Sequence, residues 1–198
     1  LGRSIFRVWS FGSSHRPREP YVYTASAQAT RMAFEPETDM LALRCIAPGM
    51  PNAILNPYPI EFIDEVEQIR LRVEQWDATR FIDMVSDQVP NGTVSSLLGY
   101  SLGNWEGDTL VVETNNFYEQ ADYLGSHVNR RVTERFTRVA EDVIEYAFTV
   151  DDPTVWTASW SGRVPWRPAE GPLFEYACHE GNYGMTNLLT SSRAEEEK

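Results

Sequence analysis

The sequence predicts a mainly β protein, a single antiparallel β-barrel or strongly curved sheet with a short N-terminal helix. The prediction rests on three observations. About nine short segments are rich in β-branched and aromatic residues, turn signals separate most of them, and two alternate apolar and polar residues with the period of two expected of a half-buried strand. Closely spaced short strands of this kind favour a barrel of the calycin or lipocalin type.

The predicted strands lie in the second and third quarters of the chain and beyond. Their ranges are 59–63, 68–76, 80–84, 97–105, 109–114, 131–139, 143–149, 157–164 and 173–179. Turn signals between them are Pro90-Asn91-Gly92, Glu106-Gly107-Asp108, Asp151-Asp152-Pro153 and Glu170-Gly171-Pro172. Residues 115–129 form a longer excursion that we expect to cover one end of the barrel.

Alternation is clearest in the second and sixth predicted strands. In 68–76, one face carries Ile69, Leu71 and Val73, and the other carries Gln68, Arg70, Arg72, Glu74 and Trp76. In 131–139, one face carries Val132, Glu134, Phe136 and Arg138. The polar side chains of such strands either meet solvent or line a wet or ligand-filled lumen.

The ends of the chain differ from this β-rich domain, which we place at 23–192. Residues 1–22 mix arginine, serine, glycine and proline and predict an extended arm, and 193–198 form a charged tail. Thr24 is a good cap for a short helix over 25–34, which Pro36 ends. The dense prolines between Cys45 and Pro59 indicate a rigid connection without a central strand.

Charge and apolar pattern limit the partners. The formal net charge is −12, and no basic stripe is visible, so we expect neither nucleic acid nor an anionic membrane surface as a partner. No apolar run approaches the roughly 20 residues of a membrane span. The remaining expectation is a small-molecule ligand or substrate.

Common catalytic and cofactor motifs are absent from the sequence. It has no Gly-x-Ser-x-Gly elbow, no His-Glu-x-x-His, no Cys-x-x-Cys, no phosphate-binding loop and no dinucleotide fingerprint. We therefore expect no cofactor and no metal site.

Acid–base chemistry has few candidates, because the chain holds three histidines. His15 lies in the arginine-rich arm, where we expect it to be exposed. His179 and His127 are the candidate acids or bases, with Glu113 or Glu175 orienting the imidazole or sharing its proton. Glu113 ends an apolar strand, and an inward side chain there would be poised for proton transfer. The alternative for the mid-strand carboxylates, Glu74 and Glu134 included, is an ion pair with Arg70, Arg72 or Arg135.

Aromatic side chains are abundant enough either to fill a core or to wall a pocket for an apolar ligand. Trp156 and Trp160 are four residues apart and would share one face of a strand. The candidate ligand-binding residues are Trp76, Glu74, Tyr100, Trp105, Trp156, Trp160 and Tyr176.

Two cysteines, Cys45 and Cys178, form one bridge in an oxidising compartment or remain buried thiols in the cytosol.

Five motifs occur in a fixed order along the chain: CIAPGMP at 45–51, PYPIEF at 57–62, GYSLGNWEGDTLVVET at 99–114, ERFTR at 134–138 and EYACHEGN at 175–182. With them the chain resembles, over about residues 25–190, a large family of mostly uncharacterised exported bacterial proteins. The resemblance implies a periplasmic or secreted location, with the export signal removed, and favours a Cys45–Cys178 bridge.

Three functions are consistent with these observations. The first is an enzyme of the isomerase, cyclase, lyase or hydratase type, which uses acid–base chemistry on a small, partly hydrophobic molecule in a barrel pocket. The second is a non-catalytic cell-envelope protein that binds a small hydrophobic ligand. The third is a protein-interaction module that docks through a sheet edge or loop.

Overall fold

The computed structural model describes residues 5–10, 21–119, 125–181, 183, 186–187, 189–190 and 193–194. These residues form nine strands: β1 (Val8–Ser10), β2 (Ile60–Asp64), β3 (Gln68–Val73), β4 (Ala78–Asp83), β5 (Tyr100–Glu106), β6 (Thr109–Asn115), β7 (Arg131–Ala140), β8 (Val143–Asp151) and β9 (Trp160–Pro168). Each strand pairs with the next along the chain, and β1 also pairs with β9, so the sheet closes into a barrel. The predicted mainly β barrel is confirmed.

Short helical segments lie between β1 and β2, between β3 and β4 and after β9. They are α1 (Ala25–Met32), α2 (Pro36–Asp39) and α3 (Cys178–Gly181), with 3-10 turns at Leu41–Arg44, Asn52–Ile54 and Gln75–Asp77. The predicted cap of α1 is present, because the Thr24 side chain accepts a hydrogen bond from Ala27 N at 3.2 Å. None of the described helices has the length and apolar character needed to cross a membrane.

The N-terminal arm contributes a strand that the sequence analysis did not predict. Val8 and Trp9 pair with β2, while Trp9 and Ser10 pair with β9, so β1 closes the barrel with only three residues. Trp9 is completely buried. A run of three residues shows no detectable alternation, which is why its sequence did not predict a strand. In the sheet, β1 buries the large apolar area of Trp9. Positions 1–4 and 11–20 of the predicted arm, and 195–198 of the predicted tail, lie outside the described residues.

The strand predicted over 173–179 is wrong. This segment has no ladder partner among the described residues, and it leads into α3 at Cys178. Its main chain is held by side chains instead: Phe174 N donates to Glu74 Oε2 at 2.9 Å, and Tyr176 N donates to Asp77 Oδ1 at 3.1 Å. Ala177 has a φ of 48°, a left-handed conformation that interrupts an extended strand.

One pair of neighbouring strands departs from the predicted antiparallel order. Strands β4 and β5 are parallel, and their ladder covers only Ile82 with Ser101 and Asp83 with Leu102. On its other edge, β4 pairs with β3 along its whole length. The barrel is therefore closed by very little backbone pairing at the junction of β4 and β5.

Closely packed side chains, many of them aromatic, occupy the barrel interior. Phe136 stacks on Tyr146 with 4.9 Å between ring centroids, and Tyr146 stacks on Trp166 at 4.8 Å. Phe148 lies over Gly162, where a Cβ would come within 2.4 Å of the ring. Apolar side chains of β3 project into the same core, as the alternation predicted: Ile69, Leu71 and Val73 are buried. The described side chains of the interior are therefore closely packed, as in an ordinary protein core.

A buried ion pair lies within this apolar interior. Arg80 of β4 is bonded to Glu134 of β7, with Nη2 2.5 Å from Oε2, and the two side chains are 1% and 0% exposed. Arg80 Nε also donates to Ser101 Oγ on β5 at 2.8 Å, and Nη2 donates to Thr114 Oγ1 on β6 at 2.5 Å. Tyr146 Oη on β8 donates to Glu134 Oε1 at 3.0 Å. These five side chains connect five strands and supply the bonds that the charges need in a medium of low dielectric constant.

The partner of Glu134 differs from the expected ones. Arg70, Arg72 and Arg135 point outward from the barrel, where each pairs with a surface glutamate at 2.8–3.0 Å. Arg80 alternates with the exposed Thr79 and Phe81, so its side chain points inward. The face of β7 that carries Val132, Glu134 and Phe136 is buried, as the alternation predicted.

Cys45 and Cys178 form a disulfide with 5.8 Å between their Cα atoms. The two cysteines are 133 residues apart in sequence. The bridge joins the loop after the 3-10 turn Leu41–Arg44 to the start of α3. It therefore fixes the 173–181 segment, which has no strand pairing, against the N-terminal part of the chain.

We predict that removing one partner of the buried pair destabilises the protein more than removing both. Glu134→Leu or Arg80→Met alone leaves an uncompensated buried charge and should lower the free energy of unfolding by about 3–5 kcal/mol. The double variant should regain at least about 2 kcal/mol relative to either single variant. Urea unfolding measures each value. The matched control is Glu106→Leu with Arg135→Met, an exposed pair whose removal should change stability by less than about 1 kcal/mol. Equal losses at the two pairs would contradict the prediction.

Removing the disulfide should destabilise the protein through its long closed loop. Cys45→Ser combined with Cys178→Ser should lower the free energy of unfolding by about 2–5 kcal/mol, because the cross-link limits the unfolded chain. Urea unfolding of the oxidised protein and of the variant gives the difference. Dithiothreitol treatment of the wild-type protein should reproduce the stability of the variant. A variant as stable as the oxidised wild type would refute the prediction.

Candidate functional site

The four residues predicted to perform acid–base chemistry do not converge on one hollow. His179 and Glu175 are exposed, on α3 and on the segment before it. Glu113 is exposed on the outside of the barrel, because its neighbours Val112 and Thr114 occupy the inward positions of β6. Within the described residues, these three side chains make no hydrogen bond or ion pair.

His127 is half-buried in the segment between β6 and β7. Its carbonyl oxygen accepts a hydrogen bond from Arg130 N at 3.0 Å, and its Nδ1 is buried with no hydrogen-bond partner among the described residues. The neighbouring Ser126 and Arg130 are completely buried, and Ser126 Oγ donates to Asp152 at 2.6 Å. His127 thus belongs to a packed segment at the edge of the barrel. His15 lies outside the described residues.

Three of the candidate ligand-binding tryptophans pack into or against the hydrophobic core. Trp156 is 2% exposed and contacts Trp160, with 5.6 Å between the ring centroids. Both also contact Tyr21, which precedes α1. Trp156 precedes β9, whereas Trp160 is the first residue of that strand. The two indoles therefore contact each other without sharing one strand face. Trp105 is half-buried near the end of β5 and packs against the core.

Trp76 and Tyr100 line a cleft beside strand β4, which we call the β4 cleft. It has a volume of about 530 Å³ and is bounded by β4, by the turn before it and by the loop that leads to β5. Its lining residues are Ala47, Trp76, Ala78, Thr79, Arg80, Phe81, Val94, Ser96, Leu97, Leu98, Gly99 and Tyr100. This volume lies within the range of typical ligand sites.

The cleft exists because β5 diverges from β4. The four successive residues 78–81 of β4 all line it, whereas the β4–β5 ladder begins only at Ile82. The loop opposite them is held against β6 at Gly99, where a Cβ would lie 2.7 Å from the carbonyl oxygen of Asn115. Gly99 also has a φ of 75°, which favours glycine. The loop can therefore approach β6 and leave the edge of β4 open.

Aromatic side chains form one end of the cleft. Trp76 has a φ of 70° in the turn between β3 and β4, and its ring lies 5.2 Å from that of Tyr176. Tyr176 contacts Tyr58 at 5.4 Å in an edge-to-face arrangement. Burial, the neighbouring Tyr176 and the carboxylate of Glu74 raise the pKa of Tyr58. Tyr176 and Glu74 thus support Trp76 and the 173–177 segment rather than lining the cleft themselves.

Arg80 lies at the floor of the cleft but is 2% exposed. It makes four side-chain hydrogen bonds, to Ser101, Thr114 and both oxygens of Glu134. The guanidinium is therefore held by the barrel, and the accessible walls above it are mainly apolar.

A second concavity, which we call the acidic hollow, shares Phe81 and Tyr100 with the β4 cleft. Its volume is about 520 Å³, and its lining includes Glu65, Glu67 and Asp83. Tyr100 Oη donates to Asp83 Oδ2 at 2.6 Å. Hydrogen bonds from Ser86 and from Tyr100 hold the pKa of Asp83 far below its ordinary value, and the carboxylate of Asp83 raises the pKa of Tyr100. Asp83 is thus an anion at any physiological pH.

Comparison with known proteins gives no further assignment: no protein-family model matches the chain, and no curated protein or solved structure shows significant similarity.

The sequence did not indicate Phe81, Leu97 and Leu98 as site residues, although all three line the β4 cleft. Phe81 was detectable in principle, since it stands opposite the buried Arg80 and Ile82 in the alternation of β4.

Replacing Tyr100 by phenylalanine should raise the pKa of Asp83. Because this pKa is below the unfolded value of about 3.9, the hydrogen bond stabilises the fold above that pH and the stabilisation is lost as the pH falls through the folded value. Carboxyl-carbon NMR titration measures the pKa. It should rise but remain below the ordinary value, because the N–H groups of Val85 and Ser86 still donate to Asp83.

The stability difference between wild type and the Tyr100→Phe variant should accordingly be present at neutral pH and disappear in acid. Tyr118→Phe is the matched control, since Tyr118 is exposed and makes no side-chain hydrogen bond to an acid among the described residues. An unchanged Asp83 titration in the Tyr100 variant would show that the hydrogen bond does not set this pKa.

Proposed function

We propose that the protein acts by binding a partly apolar ligand in the β4 cleft, as a non-catalytic binding protein of the bacterial cell envelope. The observation that carries the proposal is the cleft itself, an open hollow whose accessible walls are Trp76, Phe81, Leu97 and Leu98. Apolar walls with a few polar groups are typical of ligand sites. Tyr100 and Ser96 supply polar groups at the rim.

The arrangement of ionisable residues favours binding over acid–base catalysis. A general acid or base must reach the substrate directly or through one water. None of His127, His179, Glu113 and Glu175 is among the residues that line the β4 cleft or the acidic hollow. Glu134 and Arg80, the buried charges nearest the cleft, are bonded to each other.

An envelope location is supported by the disulfide and by the resemblance to exported bacterial proteins. Disulfides persist in oxidising compartments such as the periplasm and are rare in the cytosol. The Cys45–Cys178 bridge also serves the cleft, because Ala47, two residues after the first cysteine, is part of its lining. Export and binding are thus consistent with one another.

A fluorescent apolar probe tests the proposal. N-phenyl-1-naphthylamine is neutral, so the negative charge of the protein does not repel it, and its emission rises in an apolar site. We expect saturable binding to the wild-type protein and at least tenfold weaker binding to Leu97→Gln, because the variant replaces an apolar wall worth about 1.5–3 kcal/mol of burial.

Val139→Gln is the control for this experiment. Val139 is a half-exposed aliphatic residue on β7 that does not line the cleft, so its replacement should leave probe affinity unchanged. Thermal unfolding verifies that both variants are folded. Equal probe affinity in the two variants, or no saturable binding to the wild type, would overturn the proposal.

A further inference from the structure

The main chain of β4 presents unpaired hydrogen-bonding groups to the β4 cleft. Strand β3 pairs with every residue of β4, from Ala78 to Asp83, but an antiparallel neighbour uses the N–H and C=O groups of alternate residues only. The other groups face the opposite edge. There, β5 pairs only with Ile82 and Asp83, and no other backbone partner is present for residues 78–81 among the described part of the chain.

This arrangement differs from an ordinary apolar hollow. An open strand edge presents donors and acceptors at fixed intervals and is a template for another strand. Four residues of an extended chain span about 13 Å, and residues 78–81 would pair with a segment of that length. A small apolar molecule leaves these main-chain groups without partners, whereas an extended peptide satisfies them.

The walls of the cleft provide contacts for the side chains of such a strand. Phe81 is 52% exposed at the outer side of the open edge, and the half-buried Leu97 and Leu98 lie across the cleft from it. Successive side chains of an added strand point to opposite faces, so alternate ones meet these apolar surfaces. The occupant therefore needs apolar or β-branched residues in the paired stretch.

The carboxylates beside the cleft indicate which charge the bound segment carries. Beyond Phe81 and Tyr100 the cleft continues into the acidic hollow, where Glu67 is exposed and Asp83 is held as an anion by its hydrogen bonds. Glu65 is already paired with Arg70 at 2.8 Å. The remaining two carboxylates, in a chain of net charge −12, attract a cationic side chain.

We infer that the β4 cleft binds an extended peptide segment of a partner protein, which adds to the open edge of β4 and places a lysine or arginine in the acidic hollow. This inference rests on the proposed function, since it names the ligand of the same cleft. Binding of a small apolar molecule alone is the competing result.

A short synthetic peptide tests the inference on the full chain. The probe is a six-residue peptide with lysine at both ends and alternating valine and threonine between them, labelled for fluorescence anisotropy so that its binding is measured without the naphthylamine dye. We expect saturable binding and competition with the dye. A matched peptide with glutamate in place of both lysines should bind at least tenfold more weakly.

Backbone methylation tests the strand pairing itself. Two further peptides carry N-methyl groups on alternate residues, one on the odd and one on the even positions. Only one set of amides faces β4 in an added strand, so one methylated peptide should lose at least tenfold in affinity and the other should bind like the parent. Equal affinity of the two would exclude main-chain pairing.

Variants of the protein test the acidic hollow. Glu67→Lys should weaken binding of the lysine peptide at least fivefold and improve binding of the glutamate peptide. Asp108→Lys, the same charge change at an exposed turn away from the cleft, should have little effect on either. Identical effects of the two variants would indicate general electrostatics and overturn the assignment of the cation to the hollow.

The failure of this inference is distinguishable from the failure of the proposed function. If the dye binds in a manner that depends on Leu97 while no peptide binds, the cleft binds small molecules and the peptide inference is wrong. If neither binds, the proposed function falls as well. Peptide binding that does not respond to Leu97→Gln would place the peptide elsewhere and refute the peptide inference, while the proposed function would still be decided by the dye.

Discussion

The ion pair between Arg80 and Glu134 is the interaction on which this side of the barrel depends, because it lies at one of the three junctions whose ladders have only two residue pairs. The β4–β5 ladder contains two residue pairs, while the Arg80 side chain reaches from β4 to β5, β6 and β7. Neither charge has access to water, so each needs the other and the surrounding hydroxyl groups. Side-chain bonds therefore join the strands at this junction, where the main-chain ladder is short.

The buried ion pair also affects the barrel surface above it. Once the junction is held from inside, β5 is free to leave β4, and the edge at residues 78–81 stays open to the cleft. The guanidinium of Arg80 has its bonds within the barrel and offers little to a ligand. Recognition in the cleft therefore depends on the main chain of β4 and on the apolar walls, which is the chemistry of strand addition.

Local patterns in the sequence predicted most of the strands and the buried face of β7, since the period of two is a property of neighbouring residues. Glu134 stood on that face, but its partner lies 54 residues earlier on a strand that is not adjacent in the sheet, and no local pattern contains such a pairing. The same limit explains the error at 173–179. Its composition is typical of a strand, but Glu74 and Asp77 bind its main chain in place of a neighbouring strand. Of the predicted site residues, Trp76 and Tyr100 line the cleft and the histidines do not, because composition does not show which side chains a fold brings together.

An open strand edge is a risk of self-association, and the charge of the molecule bears on it directly. Proteins protect such edges with charged residues, and here Glu67 and Asp83 lie just beyond the open stretch, on a chain of net charge −12. Two copies that approach through this edge bring like charges together, which opposes pairing of the protein with itself. The same carboxylates favour an approaching strand that carries positive charge. Glu67 and Asp83 thus oppose pairing with a second copy of the chain and favour a cationic strand. In this way they give specificity to a backbone edge that has no sequence preference of its own.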